Sequence, residues 1–349
     1  MTEFLQLHML TAYGASNLNR DDSGRPKSVS FGGTQRLRIS SQCLKRTWRT
    51  SDVFHAKLEG HLAWRTQRLG KEVVDKLTAQ GISDENATKI AQSVAQIFGK
   101  VKKSKDETST FTEQLAFISP EEREKAFQWA EDALAEELVE PKPDDILLKA
   151  DSAADIAMFG RMFADTPKFN REAAVQIAHA FTTHQAVAED DYYTALDDLK
   201  SQNELEDAGA GFIGVQEFGA GVFYCYMCID KNLLRQNLND SATIANSSIS
   251  ALIEAATTVA PQGKQSSFAS RARALYVLAE KGTEQPRSLA AAFLRPIHGQ
   301  NQCADSIREL ESFRNKLLDV YGDSSISSYT MNIEDKNSSL KDLIEFSVS

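Results

Sequence analysis

Cysteine is scarce in this chain: Cys43, Cys225, Cys228 and Cys303 are the four among 349 residues. So few thiols cannot form a disulfide framework for this length, and the expectation is a reduced, cytoplasmic protein. Cys225-Tyr-Met-Cys228 has the spacing of a metal-binding pair. It lies inside a strand-like run, with no turn and no second ligand pair, so zinc is not expected there. Histidine is also sparse, with six residues scattered from His8 to His298. His179 and His184 fall five apart on a strand pattern and so point to opposite faces, as core or edge residues. The phosphate-loop and dinucleotide fingerprints are missing. No apolar run approaches the roughly 20 residues of a membrane-crossing helix, and MTEFLQLHML has no basic leader of the kind that opens a signal peptide. Catalytic residues, metal and cofactor are therefore all expected to be none.

What the chain does have is an uneven charge distribution. The whole is acidic, at net −10. Residues 1–68 nevertheless carry 11 Lys/Arg against five Asp/Glu, a surplus of six, which leaves the remainder at −16. The surplus concentrates in Arg20–Arg49, which holds Arg20, Arg25, Lys27, Arg36, Arg38, Lys45, Arg46 and Arg49 against Asp21 and Asp22. An acidic protein that places its cations so locally presents one anion-binding face, and a polyphosphate backbone is the obvious anion.

The periodicities place that face on elements. Residues 3–12 alternate as a first strand around Phe4, Leu5, Leu7 and Met9, 14–33 form a Gly/Ser/Asp-rich loop, and Gln35–Ile39 is a short basic strand-like run. Ser40-Ser41 caps a helix predicted over Gln42–Leu58. Leu44 and Trp48 face inward, while Lys45, Arg46 and Arg49 fall along the other flank. The free amides at such a helix start favour phosphate, with Ser40 and Gln42 as neutral donors. Gly70–Gln80, Ser83–Gly99 and Ser119–Leu138 read as helices and Lys100–Lys105 as an exposed loop. Residues 173–184 and 221–229 read as strands, Ser241–Val259 as a helix, Arg271–Leu278 as a strand and Gln302–Val320 as a final helix. Between these, 185–217 is acidic and loop-rich, and it carries Tyr192-Tyr193, a pair suited to stacking on bases. The core order is strand, helix, strand, strand, helix, strand, that of the ferredoxin-like and RNA-recognition folds.

Several motifs, in order, resemble the CasC family, the backbone subunit of the type I-E CRISPR surveillance complex Cascade. They are Leu18-Asn-Arg-Asp-Asp22, Phe31-Gly-Gly33, Arg38-Ile-Ser-Ser-Gln42 with Leu44-Lys-Arg46, Gly160-Arg-Met162, Ile177-Ala-His-Ala180 with Thr182-Thr-His-Gln185, Asp197-Asp-Leu199, Gln216-Glu-Phe218 with Gly221-Val-Phe-Tyr224, and Lys264-Gln265. The resemblance spans residues 1 to about 270 and thins between 60 and 150. It implies an α+β fold: an RNA-recognition-motif (ferredoxin-like) palm at 1–59, 171–186 and 218–349, the last with C-terminal helices. A large helical fingers insertion at 60–170 and a thumb loop at 187–217 interrupt the palm. It further implies a non-enzymatic, helical oligomer of copies along the CRISPR guide RNA (crRNA), holding its phosphates, kinking it with the thumb and presenting bases to a target DNA strand in antiviral defence. The implied partners are crRNA, target DNA through the guide, further copies of the chain, other Cascade subunits and a recruited helicase-nuclease, with no membrane. Matched by position, Ser40, Gln42, Lys45, Arg46 and Arg49 hold phosphates, with Arg20, Lys27 and Arg38 nearby and Lys264 on a further contacting loop. Met162 wedges the displaced base, and Tyr193-Thr194 form the thumb contact. The alternatives are a ribonuclease of the same superfold, or a type III backbone subunit that cleaves target RNA, using Asp21/Asp22.

Overall fold

The computed structural model describes residues 2–104, 106–135, 140–195, 212–322 and 326–349. Their strands are β1 (Phe4–Ser16), β2 (Ser28–Phe31), β3 (Thr34–Ile39), β4 (Trp64–Thr66), β5 (Ala116–Ile118), β6 (Val175–Ile177), β7 (Ala180–Thr182), β8 (Glu189–Ala195), β9 (Phe212–Asp230), β10 (Tyr276–Gly282) and β11 (Ser327–Asn332). Two units form. One takes Phe4–Ser51, Ile177–Cys228 and Leu252–Ser349; the other takes Asp52–Gln176, Ile229–Ala251 and the residues before Phe4.

The first unit is built on a large, mainly antiparallel sheet in the order β11-β10-β1-β9-β7-β3-β2, with β8 added to the outer part of β9. Strand β1 lies in its middle, and Leu5 through Leu10 are buried without a break. A strand covered on both faces loses the simple apolar alternation, so Gln6 and His8 had to find polar partners inside. Gln6 Oε1 accepts from Tyr226 Oη at 2.9 Å and from the Arg287 amide at 2.7 Å. On one face Leu10, Tyr224, Tyr276, Leu289, Phe293 and Leu310 form a common core, with Leu310 supplied by the helix Gln302–Tyr321.

The second unit is mostly helical. Leu69–Ala79, Asp84–Phe98 and Pro120–Ala135 bury Val73, Leu77, Ala87, Ala91, Val94, Ala126 and Ala130 against one another, beside the two-stranded antiparallel sheet β4-β5. Apolar residues at three- and four-residue spacing make these contacts possible.

Several predicted elements differ from those observed. The helix expected over Gln42–Leu58 is two, Ser41–Arg49 and Asp52–Lys57. Thr50 Oγ1 donates to the Arg46 carbonyl at 2.8 Å and Ser51 Oγ to that of Trp48 at 2.7 Å, and hydroxyls that take last-turn carbonyls favour a stop there. The 14–33 loop is shorter than expected. Gly32 and Gly33 both have positive φ, 60° and 77°, and turn β2 tightly into β3. Residues 173–184 give two short strands, β6 and β7, and the strand expected at Arg271 starts at Tyr276. The expected thumb loop is a two-stranded ribbon at its base, β8 against Phe212–Phe218 of β9, while residues 196–211, with Asp197-Asp-Leu199, lie outside the described ones, as does Lys105. Strand β11 and the helix Leu340–Val348 had no counterpart in the sequence prediction. Among the described residues no helix is long and apolar enough to cross a membrane.

Candidate nucleic-acid interface

The basic stretch folds around two asparagines. Asn19 Oδ1 accepts from the Ser40 amide at 2.9 Å, and the Asn19 carbonyl accepts from the Lys27 amide at 2.8 Å. Asn17, fully buried, donates through Nδ2 to the carbonyls of Gly24 (3.1 Å) and Glu217 (2.9 Å). Loop, helix start and ribbon base are thus tied together by side chains. Asp21 closes the loop from within, as Oδ1 accepts from the Ser23 hydroxyl (2.9 Å), the Ser23 amide (3.0 Å) and the Arg25 amide (2.9 Å). The Ser23 hydroxyl, ahead of the amides, holds this carboxyl below its ordinary pKa. Asp22 is exposed beside it.

Ser40 is buried and extended, and its Oγ accepts from the Cys43 amide at 3.3 Å, which makes it the N-cap of Ser41–Arg49. Leu44, Thr47 and Trp48 turn inward, while Gln42 and Arg46 are exposed and Lys45 and Arg49 half-buried. No acidic residue occupies the first turn, where one would compete for an incoming anion. Burial lowers the Lys45 pKa, because the ammonium has lost part of its hydration.

The eight cations of Arg20–Arg49 are not equivalent. Arg36 is fully buried and donates to the carbonyls of Thr182 and Phe293, each at 3.0 Å, and to Thr34 Oγ1 at 2.9 Å. It is a core residue and faces no ligand. Arg25 pairs with Glu217 at 2.8 Å. Arg38 reaches the Ser28 carbonyl at 3.3 Å and His179 Nδ1 at 2.8 Å. Arg20 is exposed and Lys27 half-buried. Lys264 joins this region from a distant segment: a Cβ on Gly263 would stand 2.3 Å from the Leu18 carbonyl oxygen and 2.7 Å from that of Asn17. The Lys264 turn therefore rests directly on the loop that carries Arg20, at backbone contact only glycine permits. Arg20, Lys27, Ser40, Gln42, Lys45, Arg46, Arg49 and Lys264 are gathered on loops and a helix start that touch one another, and their outward groups are nearly all donors. Such a surface is suited to anions.

Tyr192, Tyr193 and Thr194 lie exposed on β8. Tyr193 pairs with Gly214 across the ribbon, and its ring covers that glycine: a Cβ at Gly214 would stand 2.5 Å from Tyr193 Cζ. Phe212 lies 6.0 Å away, ring to ring. Met162 belongs to the other unit and is 82% exposed. The residues around it are fixed. Arg161, buried, pairs with Glu122 and donates to the Phe117 carbonyl at 3.0 Å, and the Phe163 amide donates to Asn170 Oδ1 at 2.6 Å. A thioether is thus displayed on rigid backbone.

Sequence reasoning missed Asn17, Asn19 and His179 as organisers of the surface. The first two were visible only as turn-forming asparagines beside the basic run. Among the described residues no group of three or more His, Cys, Asp and Glu side chains is placed to hold a metal ion.

No curated protein matches the chain. Among solved structures it is similar over 99% of both chains to a chain of a "CRISPR RNA-guided surveillance complex, pre-nicking", at TM-score 0.86 and 29% identity. A chain of a second "CRISPR RNA-guided surveillance complex" aligns over 99% of both, at 0.74 and 25%. The family described as CT1975-like protein matches residues 5–347. With nearly the whole length matched, the chain belongs to the CT1975-like protein family, the CasC-type CRISPR family its motifs resemble.

Proposed function

We propose that the protein is a non-enzymatic, guide-RNA-binding backbone subunit of a type I-E Cascade complex, acting in the cytoplasm. Copies line up along the crRNA spacer as a helical filament. Arg20, Lys27, Arg38, Ser40, Gln42, Lys45, Arg46, Arg49 and Lys264 hold its phosphates, Tyr193-Thr194 and Met162 displace a base, and the remaining bases stay free to pair with target DNA. Other Cascade subunits and a recruited helicase-nuclease complete the system. Sequence specificity then lies in base pairing, and the protein supplies shape and charge.

The observation that carries this reading is the helix start at Ser40: a capped N-terminus free of acids, flanked by three cations and tied through Asn19 to the loop bearing Arg20 and Lys27. A palm of RNA-recognition topology is supported by the strand order β10-β1-β9-β7, which sets the fourth core strand beside the first and the third beside the second. Cleavage forms no part of the proposal. The Asp21 carboxylate is occupied by three donors of its own loop, which supports a structural duty.

The purified full-length protein is expected to carry RNA of one discrete length. Lys45→Ala with Arg49→Ala should weaken binding for every RNA sequence and flatten the dependence of log affinity on log salt by about 1.4, at roughly 0.7 per lost phosphate contact. Unchanged affinity and slope would remove this helix from the interface, and a nucleic-acid-free monomer would remove the function.

A further inference from the structure

At one edge of the large sheet, Ser28, Val29, Phe31, Arg38, His179 and Phe181 line an open groove of about 440 Å³. That volume lies within the range of small-ligand clefts. Its apolar part is aromatic: the rings of Phe31 and Phe181 lie 4.9 Å apart, tilted by 55°. Val29 extends this surface from the edge strand β2, where 37% of it is exposed.

The rest of the lining is polar. Arg38 Nη1 sits 2.8 Å from His179 Nδ1. A guanidinium only donates, so Nδ1 accepts and the ring is neutral, with its proton on Nε2. Burial, then the charges of Arg38 and Lys27, lower the His179 pKa and agree with that tautomer. The groove therefore combines an apolar, aromatic surface, one cation and one neutral N–H donor. Among the described residues no carboxylate lines it. An apolar side chain entering here would desolvate the Arg38–His179 pair without offering an acceptor. A nucleotide matches every part, with a face for stacking, edge acceptors and an anion.

The groove also adjoins Lys27 of the basic surface through backbone. Lys27 lies near enough to act electrostatically on both His179 and Cys43, the latter in the first turn of Ser41–Arg49. Its carbonyl accepts from the Arg38 amide at 2.7 Å. Resting on the RNA-binding reading above, the geometry points to a nucleotide subsite: one base of a bound single-stranded RNA stacks over Phe31 and Phe181, its edge toward His179 and its phosphate toward Arg38.

The test loads the full-length protein with single-stranded RNA containing 4-thiouridine, irradiates it and locates adducts by mass spectrometry. Val29→Asp and His179→Ala, both at exposed positions, are compared with the unaltered chain. Adducts are expected on the peptides carrying Phe31, His179 or Phe181, and both variants should reduce them. Affinity should fall by up to the roughly 5- to 150-fold of one lost base stack, with the salt slope unchanged for His179→Ala. Adducts confined to other peptides, at yields the variants do not alter, would overturn the subsite while salt-dependent RNA binding kept the broader function. Absence of any RNA binding would overturn both. If Val29→Asp instead abolished association between copies and left adduct yields intact, the groove would be a protein interface and the subsite would fall.

Discussion

Asn19 holds the start of the basic helix through Ser40, whose amide donates to its side-chain oxygen at 2.9 Å. Ser40 is buried, so losing the acceptor leaves its N–H without a partner, at a cost of about 1–3 kcal/mol. Asn19→Ala should lower stability by that order and weaken RNA binding, because helix and loop no longer keep their spacing. Asn19→Asp retains an acceptor but adds a negative charge to the surface. It should keep most of the stability and still bind RNA less tightly. Thermal denaturation and an RNA titration, run on both variants, separate the two effects. Equal binding by all three proteins would show that the tie is irrelevant to the interface.

Tyr193 makes a sharper case, because its ring can be displaced without being removed. Tyr193→Ala should cost about 1–3 kcal/mol of RNA affinity if a base stacks on the ring. A methyl at Gly214 would stand 2.5 Å from Cζ and 2.6 Å from Oη. The far end of the side chain must swing away, and Gly214→Ala should reproduce much of the loss with the phenol still present. Binding constants for the two variants decide the matter. A Gly214→Ala protein that binds like the unaltered one would show that the ring's position on the ribbon is unimportant.

The parts of this surface that were legible in the sequence are those governed by neighbours in the chain. The Ser40 cap, the inward Leu44 and Trp48, and the outward cations all follow from helical spacing over ten residues. Arg36 was not legible: it alternates with Arg38 and looks like another surface cation. The carbonyls that bury it belong to Thr182 and Phe293, 146 and 257 positions away. The helix break at Thr50-Ser51 was hidden because the apolar pattern continues across it, while two hydroxyls settle the stop. The ribbon was read as a loop because Tyr193 pairs with Gly214 across a long acidic segment that masks the alternation. The link from Lys264 to Leu18 likewise had no local signal, only a glycine whose neighbours come from the far end of the sequence.

Met162 and Arg161 are adjacent but should respond oppositely. Met162 is 82% exposed, so Met162→Ala should leave the melting temperature nearly unchanged while reducing RNA binding if the thioether wedges a base. Arg161→Ala leaves Glu122, itself fully buried, without its cation. Breaking a buried pair from one side typically costs about 3–5 kcal/mol. Calorimetry beside an RNA titration checks the pair. A strongly destabilised Met162→Ala protein would mean that the side chain is a packing element rather than a displayed one.

A buried polar cluster gives the sheet unit a pH dependence of definite sign. Glu280, with no exposed surface, faces His8 at 3.3 Å, Arg287 at 2.9 Å and Arg314 at 2.7 Å. The Leu289 amide donates to Tyr224 Oη at 3.0 Å, and Oη lies 2.9 Å from His8 Nδ1. The Glu280 carboxylate can only accept, so the His8 proton is on Nε2, toward Glu280, and Nδ1 accepts from the tyrosine hydroxyl. Burial lowers the His8 pKa against the pull of Glu280, with Arg287 and Arg314 adding to the fall. Burial alone would raise that of Glu280, but hydrogen bonds from His8, Arg287 and Arg314 outweigh it and hold the carboxyl far below its usual range. With both values depressed in the folded chain, the unfolded chain binds more protons, and stability drains away as pH falls. The loss should begin near the ordinary histidine value of about 6.5 and steepen below about 4.3, where unfolded glutamates take up protons. Melting temperatures between neutral pH and pH 5 should therefore decline, and His8→Gln should make that decline shallower. Part of the slope should persist, because His184 is also buried with a lowered pKa. A His8→Gln protein with the same dependence on pH would show that His8 does not gain its proton on unfolding.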